Sequence, residues 1–222
     1  MKTLINNNVK NIIRDTLKLD EALSSQEKQF KINTDFLSNE NIENHKQLYK
    51  GYIDNFNKSN LKLDSVEKSQ SNSNHSEFRS LKIDETYNLN GVYLHELHFA
   101  NIGDPNSQIK MDSLSYMRLA RDFGTFDKWQ EDFVACCLSA RNGWGVTFYN
   151  PQLRRYMNTV IDLHSTNVMI GLMPIIVMDC WEHSYYRDYL TDRKTYAYGM
   201  MKEFNWNEIG DRFQKAEKMA KI

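Results

Sequence analysis

The stretch IIVMDCWEHSYYRDY, residues 175–189, joins four consecutive apolar residues directly to Asp179 and, four positions later, to His183. Four apolar residues in a row are typical of a buried strand. A carboxylate at the end of such a strand needs a partner, because burying an isolated charge is too costly. Asp179 and His183 are therefore either a structural pair or two ligands of a metal ion, and at this point both interpretations stay open.

Two further histidines lie on apolar stripes of predicted helices in the first half of the chain. His45 belongs to one stripe and His95 to another, and in each the apolar residues recur in steps of three and four. Either histidine alone is more often a satisfied core residue than a ligand. Taken with the later Asp–His pair, they complete a set of three imidazoles and one carboxylate. That set suits iron or manganese better than structural zinc, which favours thiolates.

The helical patterns of the first half predict two long helices that form an antiparallel hairpin. Ser38 is the expected N-cap of the first helix, and a polar loop is expected at residues 57–80. Residues 1–35 carry only one weak amphipathic stretch, from Leu4 to Leu23, and are expected to be an extension. His98, which lies near the end of the second helix, is expected at the surface or in an interface.

The second half of the chain is richer in β-forming residues. Its apolar runs predict three strands, at 144–149, 156–164 and 175–178, with helices before them and again at about 182–203 and 207–219. The whole chain is expected to be α+β, with an N-terminal antiparallel helical hairpin domain and a C-terminal domain in which helices surround a three-stranded antiparallel sheet. The expected divisions are 1–35, 36–104 and 105–222.

Composition argues against several classes of function. The formal net charge of -1 gives no reason to expect nucleic acid as a partner. The longest apolar run, residues 168–178, is too short to cross a bilayer, so no membrane partner is expected. The three cysteines cannot close a disulfide framework and are typical of an intracellular protein. We expect a cytoplasmic location, with a mitochondrial or virion-associated one left open.

The segment DCWEHSYYRDY, residues 179–189, resembles the signature of the iron/manganese superoxide dismutases. Further blocks in matching order resemble the rest of that family over about residues 36–215: a first ligand helix at 37–57, a second at 87–99, a glycine–tryptophan turn at 139–146 and a closing helix at 204–213. The resemblance implies an enzyme that holds one iron or manganese ion per subunit. The ligands that it implies are His45, His95, Asp179 and His183.

The first of these ligands has a rival in the neighbouring residue. The family usually separates its first ligand from an active-site tyrosine by eight residues, whereas His45 and Tyr52 are seven apart. An alignment that fixes Tyr52 puts Asn44 at the ligand position instead. Offsets of seven and eight both return near one face of a helix. We favour His45, because imidazole is the better ligand and its distance from Ser38 fits the family.

The resemblance also implies which residues handle protons. His164 lies 15 residues before Asp179, where an archaeal-type subset of the family has a histidine in place of the glutamine that bonds the metal-bound solvent. A donor to that solvent would tune its pKa and the potential of the metal. The alternative is a strand-end histidine that faces water. Tyr52 is the family's active-site tyrosine, and with His164 it is the expected catalytic pair.

Five more residues match positions around the centre of the family. Two tryptophans would line the metal pocket, although ordinary core packing would look the same. A glutamate and a tyrosine would cross a subunit interface, although a solvated glutamate is the alternative. An arginine would stand near the mouth of the substrate funnel, although the proline that usually follows it is Lys194 here. In that order these residues are Trp144, Trp181, Glu182, Tyr186 and Arg193.

The function that the resemblance implies is the conversion of superoxide to dioxygen and hydrogen peroxide by a homodimer or homotetramer. The alternative is a catalytically weak or inactive dismutase-like structural subunit of a larger assembly, such as a virion or an organelle ribosome. Residues 1–35 lie outside the resemblance, and this N-terminal arm would be the part that docks to such an assembly.

Overall fold

The computed structural model describes residues 24–103 and 107–219, and helices and strands follow one another in the predicted order. A helical hairpin comes first and a three-stranded sheet flanked by helices follows, so the predicted α+β fold is confirmed. The elements are α1 (Asn39–Ser65), α2 (Glu77–Asn101), α3 (Leu114–Phe123), α4 (Phe126–Ser139), β1 (Gly143–Asn150), β2 (Arg155–Asp162), β3 (Met173–Asp179), α5 (Glu182–Tyr189), α6 (Arg193–Lys202) and α7 (Trp206–Met219).

The sheet has the strand order β2-β1-β3, and both pairings are antiparallel. Successive side chains of β1 point to opposite faces. Trp144 and Val146 pack in a buried cluster with Leu94 of α2, so this face meets the helical hairpin. Thr147 faces α4, where its hydroxyl accepts a hydrogen bond from the Trp129 indole at 3.1 Å. The sheet therefore lies between α2 of the hairpin and α4.

The connection between the two long helices is shorter than the sequence pattern indicated. α1 continues to Ser65 and α2 begins at Glu77, so the predicted loop at 57–80 is wrong in extent. Leu63 and Leu81 are buried, and their packing extends the hairpin on both sides of the turn. Ser76 supplies the N-cap of α2, because its hydroxyl accepts the Arg79 N–H at 3.1 Å.

The predicted helical region at 182–203 is divided into two helices. Leu190 has a φ of 49°, a left-handed conformation that ends α5. Asp192 then caps α6 by accepting the Thr195 N–H at 3.0 Å. The break allows α6 to turn back, so that Tyr196 reaches the end of β3.

Part of the predicted N-terminal extension packs on the hairpin. Residues 24–33 form no helix or strand, but the Lys28 N–H donates to the Tyr49 hydroxyl at 3.1 Å. The Phe30 ring lies 6.1 Å from Tyr49 and 5.6 Å from Phe99. This segment thus covers the apolar seam between α1 and α2. The predicted amphipathic stretch from Leu4 to Leu23 lies outside the described residues, as does the predicted domain boundary at 104 and 105.

None of the helices within 24–103 and 107–219 combines the length and apolar character that a membrane crossing needs.

Candidate metal centre

Four side chains from four elements converge between the helical hairpin and the end of β3. One ligand atom from each can be chosen so that all four lie within 4.8 Å of one another. The Asp179 carboxylate oxygen Oδ2 lies 3.0 Å from Nε2 of His45, 3.7 Å from Nε2 of His95 and 3.2 Å from Nε2 of His183. We call these four residues the His–Asp tetrad. It is the set that the sequence resemblance named, with His45 and not Asn44 facing the other three.

Local sequence explains why each member points inward. His45 and His95 lie on the buried faces of α1 and α2, where the hairpin packs on the sheet. Asp179 is the last residue of β3, and its Oδ1 accepts the Trp181 N–H at 2.8 Å, which turns Oδ2 toward the histidines. His183 lies in the first turn of α5, and its side chain is 21 % exposed, whereas the other three are buried.

The charges of the tetrad suit a cation. Burial alone would raise the pKa of the Asp179 carboxyl, but the neighbouring His183 and His45 imidazoles hold that pKa well below its usual range. Burial lowers the pKa of His45 and, more strongly, that of His95. At neutral pH the site therefore holds an ionised carboxylate beside buried neutral imidazoles. Those are the protonation states that metal ligands need.

The His95 ring tests whether a metal fits the tetrad. Its Nδ1 lies 2.6 Å from the Gly91 carbonyl oxygen. Because a carbonyl only accepts, Nδ1 carries the proton and the lone pair is on Nε2. That Nε2 is buried and has no hydrogen-bond partner within the described part of the chain. An orphaned lone pair directed at a carboxylate and two further imidazoles is the arrangement that an iron or manganese ion satisfies.

His164 lies beside the tetrad in the turn after β2. Its Nδ1 accepts a hydrogen bond from the Trp144 indole N–H at 3.1 Å, so its proton is on Nε2. Nε2 is buried and unpaired among the residues described. Burial lowers the pKa of His164 to about 4, which keeps the ring neutral. The predicted alternative, a strand-end histidine facing water, is wrong because the side chain is fully buried.

Tyr52 lies next to both His95 and His164. The ring centroids are 5.1 Å apart for Tyr52 and His95, and 4.7 Å apart for Tyr52 and His164. Burial raises the pKa of the Tyr52 hydroxyl, so this phenol stays protonated at neutral pH. Gly91 makes room for the ring, since a Cβ at that position would lie 2.9 Å from Tyr52 Cδ1.

Both predicted pocket tryptophans contact the tetrad. Trp144 is buried and meets the His95 ring edge to face at 4.9 Å. Trp181 stacks on His183 at 5.6 Å and on His164 at 5.3 Å. These two indoles line the space between the tetrad and His164.

The remaining predicted residues lie farther out. Glu182 and Tyr186 line an open cavity of about 530 Å³ that reaches His183, and Asn44 lines it too. Arg193 does not extend freely into this cavity, because its guanidinium donates to the carbonyls of Ala140 and Arg141. Its predicted place near a funnel mouth stays a prediction.

The sequence interpretation missed His98. This residue is fully buried, so the prediction that it lies at the surface or in an interface is wrong. Its Nδ1 lies 3.3 Å from the Asp179 backbone nitrogen, and its ring centroid lies 5.5 Å from that of His45. The available signal was its spacing, since His98 follows His95 by three residues and shares its helix face.

The chain resembles known proteins in both halves. A profile of iron/manganese superoxide dismutases, C-terminal domain, matches residues 113–212. The superoxide dismutase [Fe] of Aquifex aeolicus is 34% identical over 195 residues, which cover 84% of this chain and 88% of that protein. The superoxide dismutase [Mn] 1 of Halobacterium salinarum is 28% identical over 172 residues, 78% of this chain and 84% of that protein. The superoxide dismutase [Mn] of Haloarcula hispanica is 38% identical over 104 residues, 47% of this chain and 71% of that protein.

Proposed function

The chain belongs to the iron/manganese superoxide dismutase family, and we propose that the His–Asp tetrad holds its catalytic metal ion. As a superoxide dismutase it converts two superoxide ions and two protons to dioxygen and hydrogen peroxide. Its cofactor is one iron or manganese ion, which when bound supplies one-electron chemistry between the trivalent and divalent states. The alternative of an inactive structural subunit is not favoured.

The observation that carries the ligand assignment is the Nε2 lone pair of His95. The Gly91 carbonyl fixes the tautomer, and leaving a buried acceptor unpaired costs about 1–3 kcal/mol. A cation held between this lone pair and Asp179 removes that cost. His45 and His183 complete the site with Nε2 atoms that already lie 3.0 and 3.2 Å from the same carboxylate oxygen.

His164 is suited to donate a hydrogen bond to the solvent that supplies a proton to the reaction. The Trp144 indole occupies its Nδ1, which leaves a buried Nε2–H with no competing acceptor near by in the described residues. An N–H donor next to the tetrad orients solvent there and lowers the cost of proton transfer to a reduced substrate. Trp144 thereby acts as the residue that sets the tautomer of His164.

Tyr52 complements His164 as a second hydrogen-bonding group beside the tetrad. Its raised pKa keeps the hydroxyl protonated, and its ring contacts both His95 and His164. The Tyr52 hydroxyl is hydrogen-bonded to Tyr87, which places a protonated phenol beside the tetrad.

A homodimer or homotetramer would complete the exposed side of the centre. Tyr186 is 45% exposed and Leu190 62% exposed, and with Glu182 they line the cavity that reaches His183. In the family the residues matched by Glu182 and Tyr186 cross a subunit interface. Sedimentation of the purified chain as a monomer at micromolar concentration would contradict this assignment.

Location and the role of the first residues stay predictions. An intracellular, cytoplasmic protein and an N-terminal arm that docks to a larger assembly remain our expectations. Within the arm, the described contacts of Lys28 and Phe30 are with the helical hairpin of the same chain.

The ligand assignment is tested by a pair of neighbouring variants. His45→Gln removes an imidazole that faces Asp179, whereas Asn44→Ala changes the half-buried residue beside it. After loading with iron or manganese and desalting, we expect Asn44→Ala to keep the metal and the turnover of the parent chain, and His45→Gln to lose both. The reverse result would assign the first ligand to Asn44. A parent chain that holds less than about a tenth of an equivalent after loading would refute the metal site itself.

A further inference from the structure

In the part of the chain that the structure describes, side chains of α2 and not a further strand cover the outer edge of β3. Asp179 pairs with Trp144 of β1, and the neighbouring Cys180 N–H donates to the Gly143 carbonyl at 2.9 Å. This makes Asp179 and Trp144 a non-hydrogen-bonded pair, so the Asp179 N–H points away from the sheet. Such edge groups need partners when they are buried.

Two residues one helical turn apart on α2 supply those partners. His98 Nδ1 lies 3.3 Å from the Asp179 nitrogen, and the Asn101 side-chain amide donates to the Val177 carbonyl at 2.8 Å. Asn101 in turn accepts from the buried guanidinium of Arg212, which fixes the direction of its amide. The helix thus pairs with β3 over its last residues much as a neighbouring strand would.

The tautomer of His98 follows from these contacts. Its Nδ1 is also 3.4 Å from the Val177 carbonyl oxygen, but that oxygen already has a closer donor in Asn101. The Asp179 backbone N–H can only donate, so Nδ1 of His98 accepts its hydrogen bond. The proton of the neutral His98 ring is therefore on Nε2. The Nε2–H is buried without a hydrogen-bond partner in the described ranges.

With this bond, every polar atom of Asp179 except Oδ2 has a fixed partner. The backbone carbonyl accepts from the Tyr196 hydroxyl at 2.8 Å and from the Ser184 hydroxyl at 3.1 Å. Oδ1 accepts the Trp181 N–H. Within residues 24–103 and 107–219, His98 is the one partner of the backbone N–H. Oδ2 is therefore left to face the three imidazoles, and its direction depends on all these contacts together.

We propose that His98 is a positioning residue of the centre: by accepting the Asp179 N–H and packing beside His45, it fixes the strand end from which the carboxylate reaches the metal. This rests on the proposed ligand role of Asp179. An apolar side chain of similar size would fill the same space without burying an unpaired Nε2–H, which is itself destabilising. An imidazole is thus less favourable than an apolar side chain as core packing, and the hydrogen bond to Asp179 explains its presence.

Two substitutions of equal shape separate this role from simple packing. In His98→Asn the side-chain oxygen takes the place of Nδ1 and keeps an acceptor for the Asp179 N–H. His98→Leu has the same number of side-chain heavy atoms and the same branching but no acceptor. Both remove the ring, so their difference reports the hydrogen bond. The measurements are the dissociation constant for manganese by chelator competition, the midpoint potential of the bound metal, and urea unfolding of the metal-free chain.

We expect His98→Leu to bind manganese about 10–100-fold more weakly than His98→Asn and to shift the midpoint potential, because partners of metal ligands typically contribute that much to affinity. In the metal-free chain, His98→Leu leaves the buried Asp179 N–H unpaired and His98→Asn buries its own amide N–H groups, so the two variants should unfold at similar urea concentrations. If metal affinity instead follows stability, or the two variants bind manganese equally, His98 is only a packing residue. If the parent chain binds no manganese, the ligand proposal has failed and the positioning role falls with it, whereas equal binding by the two variants overturns the positioning role alone.

Discussion

Gly91 offers a direct test of how Tyr52 is placed. An alanine Cβ there would lie 2.9, 3.0 and 3.3 Å from Cδ1, Cγ and Cε1 of Tyr52, where carbon atoms prefer about 3.5–4.0 Å. The overlap of about 0.5–1 Å falls on the base of the ring, so the whole ring has to move. Forcing an extra methyl into a packed site costs about 1–3 kcal/mol. Replacing a helical glycine with alanine returns about 0.5–1 kcal/mol.

Gly51 is the matched control for this substitution. It also lies in the middle of a long helix, and a Cβ there would meet nothing within 4 Å. Gly51→Ala should therefore stabilise the chain by about 0.5–1 kcal/mol, and Gly91→Ala should be less stable than Gly51→Ala by the overpacking cost, about 1–3 kcal/mol. Urea unfolding of the metal-free variants measures the difference in the free energy of unfolding.

The same pair separates stability from function. Displacing Tyr52 by a fraction of an ångström should lower superoxide turnover per bound metal by about ten-fold or more, because hydrogen-bonding groups that assist proton transfer act only at short range. Gly51→Ala should keep the parent turnover. Stopped-flow decay of superoxide, normalised to metal content, is the assay. A Gly91→Ala variant as stable and as active as Gly51→Ala would show that Tyr52 does not lie against α2 at this position.

Three further predictions address the tetrad, the ion pair of Asp122 and the N-terminal segment. Asp179→Ala should reduce bound iron or manganese below about a tenth of an equivalent by elemental analysis, and full retention would contradict the proposed coordination. Burial alone would raise the pKa of Asp122, but Arg121 and the Tyr156 N–H hold that pKa below its usual value. The ionised Asp122 carboxylate therefore stabilises the fold at neutral pH. This stabilisation is lost as the pH falls through the lowered pKa of the folded state. Asp122→Asn should thus cost about 1–3 kcal/mol at pH 7 and progressively less below about pH 4 in unfolding experiments, and a penalty independent of pH would disprove the ionic origin. Phe30→Ala should lower the free energy of unfolding by about 1–3 kcal/mol through lost aromatic packing, whereas the exposed neighbour Gln29→Ala should change it by less than about 0.5 kcal/mol.

The sequence predicts well those features that depend on local spacing. Asp179 follows an apolar run and precedes His183 by one helical turn, so the strand end and the first turn of α5 bring them together whatever surrounds them. The helix stripes likewise identify His45 and His95 as inward residues. These local patterns, with the blocks of family resemblance, are enough for the fold class and for the members of the tetrad.

Features that depend on how elements meet are not visible in the sequence. His98 looks like a polar residue near a helix end, and only the position of α2 along the edge of β3 makes it a partner of Asp179. The loop between α1 and α2 was overestimated for a related reason. Asn60 is polar but buried, and its amide donates to the Phe56 carbonyl within the helix at 3.0 Å. Its type suggests a turn, while its tertiary surroundings favour a continued helix.

The seven-residue spacing of His45 and Tyr52 has a geometric explanation in the unbroken helix α1. At 3.6 residues per turn, side chains seven apart differ in direction by only about 20°, whereas those eight apart differ by about 80°. The two Cα atoms are then separated by about 10 Å along the axis. His95 of the facing helix lies between them, with ring centroids 5.1 Å from each. In a regular helix, a spacing of seven therefore places His45 and Tyr52 on opposite sides of the His95 imidazole. A spacing of eight would give the same arrangement only if one turn of the helix contained an extra residue. The spacing of seven, although unusual for the family, is for this reason compatible with an intact centre. Helix geometry, as well as the chemistry of imidazole, favours His45 over Asn44 as the first ligand.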